Sequence, residues 1–176
     1  MNIHRAALLL FTLAALPAAP AAAQTRIAAV GWELSSQQGK ERGPYLPVSE
    51  LRASADVKFT GRLRALVTLK NPSAKAVEGL VLRYAVSLRL LKAGDSPDKA
   101  FWSVPFYVEE VRVSKIAPGA ERQAKVLRLE LAEQLRKLRG TGFEPQALRL
   151  EVMLCPRLGD EPASILRDSV IEIRKP

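Results

Sequence analysis

Histidine is almost absent from this sequence. The single copy, His4, lies in an N-terminal segment with the marks of a cleavable leader. Cysteine occurs once, as Cys155, and aromatic residues make up only 6% of the chain. No apolar run reaches the length that spans a bilayer as a helix. Each shortage excludes something. Without histidine the commonest general base is missing, and neither a Ser-His-Asp nor a Cys-His arrangement is available. Zinc sites built from His and Cys are excluded on the same ground. One cysteine cannot form an intrachain disulfide, so no disulfide framework holds the fold. A glycine-rich phosphate loop is missing, as is any calcium-loop spacing around Asp95, Asp98 or Asp160. The sequence is therefore read as non-enzymatic, with no catalytic, metal-ligating or cofactor-binding residue assigned.

What is present begins with the leader. Residues 1–5 carry one Arg, residues 6–16 form an apolar run, Pro17 and Pro20 interrupt it, and Ala21, Ala22 and Ala23 precede Gln24. This is the three-part pattern of a secretory signal, with cleavage expected after Ala23. The mature chain, 24–176, is then expected in the periplasm or outside the cell, with no transmembrane segment. It retains 26 basic and 18 acidic residues, a net charge of +8.

Period-two alternation dominates the mature chain, which points to strands. Val30, Trp32 and Leu34 mark a first strand, and residues 35–56 follow as a long, weakly patterned loop that includes Tyr45 and Leu46. Residues 57–70 read as a half-buried strand bent at Gly61, and residues 80–90 as the clearest strand of all. Trp102, Val104, Phe106 and Val108 share a parity, with Pro105 among them. Proline donates no N–H, so this piece belongs at a sheet edge. Parity changes at Glu109 and Glu110, which suggests a bulge there. Leu127, Leu131, Leu135 and Leu138 fall at helical spacing, which predicts one helix near 130–139, stopped by Gly140. Strands at 148–154 and around Ile171 and Ile173 complete the pattern. The expected units are the N-terminal strand and loop, 24–56, and a β-sandwich, 57–176, forming one globular body.

Two segments carry a resemblance. Residues 67–82 (VTLKNPSAKAVEGLVL) resemble the corner between early strands of bacterial immunoglobulin-like domains, and residues 113–126 (VSKIAPGAERQAKV) are similar to their Pro-Gly turn entering a later strand. The resemblance implies an antiparallel immunoglobulin-like β-sandwich of about seven strands, with the short helix as an insertion. It also implies a binding, adhesion or assembly role in the cell envelope.

Two binding modes follow. In the first, a protein partner docks through an edge strand and loop, at Phe101, Pro105, Tyr107, Tyr45 and Leu46. Phe101 and Tyr107 are expected to face away from Trp102 and Phe106. In the second, outward arginines, Arg62, Arg64, Arg83, Arg89 and Arg112 (with Arg149), form a cationic face for an acidic glycan or an anionic lipid headgroup. Nucleic acid is not expected, because no aromatic stacking motif accompanies the arginines. A homo-oligomer is compatible with either mode. Ser96 and Lys99 match S-x-x-K, but in a Pro- and Asp-containing loop they read as a solvated turn. Glu109 and Glu110, adjacent on a strand, should face opposite ways. Cys155 reads either as a small hydrophobe beneath the helix or as a thiol that pairs between chains.

Overall fold

The computed structural model describes residues 24–38, 40–52, 61–129, 131–138, 140–157 and 160–174. The expected leader, and the start of the strand expected at 57–70, lie outside these residues.

Ten strands form two layers among the described residues: β1 (Arg26–Gln38), β2 (Glu41–Pro47), β3 (Glu50–Arg52), β4 (Arg62–Lys70), β5 (Leu80–Lys92), β6 (Phe101–Trp102), β7 (Tyr107–Val113), β8 (Glu121–Leu129), β9 (Phe143–Leu154) and β10 (Leu166–Arg174). One sheet has four strands in the order β2-β1-β4-β8. The other has six, in the order β3-β10-β9-β5-β6, with β7 also pairing with β5. The fold is a mainly β sandwich, as the alternation predicts. Pairing is antiparallel throughout except between β3 and β10.

The core follows from the pleat. Leu63, Ala65, Val67 and Leu69 of β4 point inward, facing Leu82, Tyr84, Val86 and Leu88 of β5 and Leu148, Leu150, Val152 and Leu154 of β9. All are buried; their alternate neighbours are half-buried or exposed, apart from Ser87 and Ala147, which are covered on the other face of the sheet. Trp32 of β1 joins the layers, donating from Nε1 to Ser169 Oγ of β10 at 2.9 Å. The β4–β5 and β7–β8 connections both cross between sheets, and Asn71 ties them together. Its amide donates to the carbonyls of Lys75, Ile116 and Ala117. Its Oδ1 accepts the N–H and the hydroxyl of Ser73.

Residues 35–56 are not one long loop. They hold the end of β1, all of β2 and all of β3. β2 is mostly exposed and rich in polar and turn-forming residues, so it shows no apolar alternation. It is held by pairing with β1 instead. Gly61 sits just before β4, where a Cβ would lie 2.8 Å from Leu34 Cδ1 and 3.2 Å from the Ser35 carbonyl, so a larger residue would have to displace the Leu34 side chain.

The helix α1 (Leu131–Lys137) lies where expected, and Gly140 follows it at φ 75°. Leu127, however, belongs to β8 and not to the helical series. A second short helix, α2 (Pro162–Ile165), leads into β10. Cys155 is half-buried just past the far end of β9 from α1, with its N–H on the Val81 carbonyl. That position does not support the expectation that α1 covers it. No helix among the described residues is long and apolar enough to cross a membrane.

Candidate functional site

The side of the sandwich formed by β6, β7 and β8 carries the most distinctive chemistry. β6 and β7 run consecutively along the same side of β5, so together they make an interrupted edge strand, as Pro105 predicts. The interruption is well held. Ser103 donates its N–H to the Leu88 carbonyl at 2.8 Å and accepts the Leu88 N–H on its hydroxyl at 3.1 Å. The chain leaves the ladder at Val104 and Pro105 and returns with Phe106 N–H on the Val86 carbonyl.

Across it the register on β5 moves by two residues, from Trp102 opposite Arg89 to Tyr107 opposite Val86, so odd positions face the core side on both β6 and β7. The sequence places even positions inward up to a switch at 109–110; the structure has no such switch, and the even positions of β6 and β7 face outward throughout. Tyr107 therefore faces the core side, its ring 6.1 Å from that of Tyr84, and not outward as expected. Val108, expected inside, is 62% exposed, and Val104 is 83% exposed. Phe101 is 48% exposed and stands edge-on to Phe143. Trp102, expected in the core, lies on the outer face opposite Arg89, half-buried under the Arg149 guanidinium, whose Cζ is 4.7 Å from its ring centroid. Phe106 packs against the core, as expected.

Behind the edge lies a polar node. Tyr84, buried in β5, donates its hydroxyl to Glu109 of β7, and Tyr107 donates to the same carboxylate oxygen at 2.8 Å. The Tyr84 oxygen accepts the Leu127 N–H from β8 at 3.2 Å. Leu127 has φ 59°, a left-handed conformation that costs a leucine about 1–2 kcal/mol. It sits where the β4–β8 register slips, a bulge that turns this N–H away from the ladder toward Tyr84. The node thus links three strands across both sheets.

Its electrostatics suit a lock and not a proton relay. The Tyr84 and Tyr107 hydroxyls hold the Glu109 carboxyl below the usual carboxylate range. Burial, and then the bond to Glu109, push the Tyr84 phenol far above its ordinary value. The bond to Glu109 likewise raises Tyr107. A tyrosine acting as base or nucleophile needs the opposite shift. Because the folded pKa of Glu109 is depressed, its contribution to stability is complete above the ordinary carboxylate value and is lost as pH falls through the folded value. Acidification from about pH 5 to about pH 3 should lower the unfolding midpoint more steeply in the unmodified chain than in Glu109→Gln. Parallel pH profiles would show that the carboxylate is not what holds β7.

The remaining expected residues separate. Tyr45 and Leu46 lie on β2, the opposite edge of the four-stranded sheet from β8, with β1 and β4 between. Tyr45 is half-buried under Arg64, whose Cζ is 3.8 Å from its ring centroid, while Leu46 is 60% exposed. They therefore do not join Phe101, Pro105 and Tyr107 in one surface. The arginines do not form one face either. Arg62 and Arg64 are on β4, Arg83 and Arg89 on β5, Arg112 on β7 and Arg149 on β9. All occupy outward positions, but the two sheets face opposite ways, so the set is split between two sides of the sandwich. Arg83 is bonded to Glu110 on the outer face, and Arg64 to Glu33. Glu109 and Glu110 do diverge as expected. Lys99 lies nearest Asp95, 3.9 Å away, and the Ser96 hydroxyl is taken up by Asp98, whose carboxyl it holds below its ordinary value.

Sequence reasoning missed Val104 and Val108. The signal was Pro105: a proline that removes a ladder hydrogen bond also allows a skipped position.

No protein-family model matches the chain, and no curated protein does. Among solved structures, it is similar to a crystal structure of the C-terminal domain of Wzt, with 11% identity over 86% of this chain and 74% of that one, at a TM-score of 0.37. A likeness of that degree carries no argument about function.

Proposed function

We propose that this chain is a non-enzymatic, exported binding module of the cell envelope that docks a protein partner along the β6–β7 edge. The immunoglobulin-like layout belongs to this reading, supported by the turns after Asn71 and at Pro118 and Gly119, each of which passes the chain from one sheet to the other. The observation that carries the docking role is the clustering of exposed apolar side chains. Of the six large hydrophobics that stand exposed among the described residues, Phe101, Val104 and Val108 fall within eight positions on one interrupted sheet edge. Soluble proteins protect such edges with charge, cover or twist; an apolar, accessible edge suits an added strand or a partner's side chains.

The test is site-specific photo-cross-linking in the native envelope, with the probe at Val104, Val108 or Leu46 and mass spectrometry of the adducts. The expected result is one partner captured from Val104 and Val108 but not from Leu46. A second change, Val108→Lys, should reduce capture from Val104 by about tenfold or more while leaving the melting temperature in place, since Val108 is mostly exposed. No adduct from the edge, or capture unaffected by the lysine, overturns the proposal.

A further inference from the structure

The two outer faces differ in charge. Outward positions of the four-stranded sheet hold Arg26 on β1, Arg62, Arg64 and Lys70 on β4, and Lys125 and Arg128 on β8. Among the described residues of β1, β4 and β8, the carboxylates on this face are Glu33, beside Arg64, and Glu121, beside Lys70. The outer face of the six-stranded sheet is nearly balanced. There Arg83, Arg89, Arg112 and Arg149 share the surface with Glu110, Glu151, Asp168 and Glu172. Beyond them Arg52 and Arg174 both pair with Glu50. Exposed apolar side chains show the reverse bias: Phe101, Val104, Val108, Leu166 and Val170 belong to the six-stranded sheet, its strands or the β6–β7 excursion.

The cationic positions also have a shape. They spread over three neighbouring strands, about 4.8 Å apart, and along the length of β4, roughly 27 Å from end to end. They form a two-dimensional array on a sheet face and do not converge on one point. A linear acidic polymer would meet one row of such an array. A planar field of negative charge meets all of it.

We propose that the outer face of the four-stranded sheet docks on a bilayer surface rich in anionic phospholipid headgroups. Of the six cations, only Arg62 and Arg64 belong to the arginine set that the sequence suggested. Lys125 and Arg128 add positive charge on the edge strand β8, on the far side of β4 from Glu33. The proposal concerns the sheet opposite β6 and β7 and is independent of edge docking, so either can fail alone.

The experiment is co-sedimentation of residues 24–176, which contain both sheets but not the apolar run at 6–16, with mixed phosphatidylglycerol–phosphatidylcholine vesicles. Binding is expected to the mixed vesicles and not to phosphatidylcholine alone. It should weaken strongly between about 0.1 M and about 1 M salt, as the screening length falls from about 10 Å to about 3 Å. Lys125→Glu with Arg128→Glu should reduce it about tenfold or more. Arg89→Glu with Arg112→Glu, the same charge change on the other sheet, should leave it intact. Circular dichroism melting confirms that each pair of changes folds. No binding to the anionic vesicles, equal binding to neutral ones, or equal loss from both pairs overturns the proposal. Retention on immobilised heparin without vesicle binding overturns it in favour of a glycan.

Discussion

Asn71→Asp is expected to destabilise the chain more than Asn71→Ala, although aspartate is the closer match in shape. Asn71 is fully buried at the point where both inter-sheet crossings meet. Its amide group faces three carbonyl oxygens at 2.8–3.2 Å, and its Oδ1 receives two bonds from Ser73. Alanine removes the donors and leaves buried carbonyls unpaired, a loss of about 3 kcal/mol. Aspartate keeps the acceptor side but places a second oxygen, charged at neutral pH, against the three carbonyls. Desolvation and repulsion then add to the lost bonds, for about 5 kcal/mol at pH 7. That burial would raise the folded pKa of the new carboxyl, so the variant should regain stability as pH falls and the group becomes a donor again. Urea unfolding at pH 7 and pH 5 measures both effects. Equal losses for the two variants at pH 7, or a deficit that grows on acidification, would contradict the clamp.

Trp32→Ala should produce a loss of similar size for a different reason. The indole is almost wholly buried between the layers, beside Ala65 of β4, and its N–H reaches Ser169 on the opposite sheet. Truncation leaves a large cavity in a region framed by rigid strands, worth about 4 kcal/mol. Trp32→Phe should cost about half as much, since a ring remains but the hydrogen bond does not. A double-mutant cycle of Trp32→Phe with Ser169→Ala isolates the bond itself, expected at about 1 kcal/mol. A coupling near zero would mean that packing alone holds the indole.

Both residues stood out in the sequence, Trp32 in an apolar alternation and Asn71 in a turn, yet neither partner did. Alternation reports which side of its own sheet a residue faces. It therefore located β4, β5 and β9 and marked Leu63, Leu82 and Leu150 as core. It does not report which sheet a strand joins. That is why outward arginines on β4 and β5, alike in sequence, lie on opposite faces of the molecule. β2 was hidden because an exposed strand of polar residues, Gly43 and Pro44 has no apolar period to detect. The edge was legible through Pro105, but the inward parity of its odd positions was not, since Trp102, Val104, Phe106 and Val108 are as apolar as a core row. The node around Glu109 depends on a left-handed Leu127, and no residue preference announces that.

The parallel pairing of β3 with β10 has a consequence for how the chain comes together. Trp32 and Ser169 are 137 positions apart, and among the described residues β3 pairs with β10 alone. A chain that emerges from its N-terminal end, from a ribosome or across a membrane, therefore holds β1 to β9 before the second layer can close over Trp32. Until β10 arrives, one flank of β9 and the whole of β3 are open strands. Assembly that waits on contacts so distant in sequence is slow. During that wait, the bare flank of β9 is the surface most in need of protection from neighbouring chains.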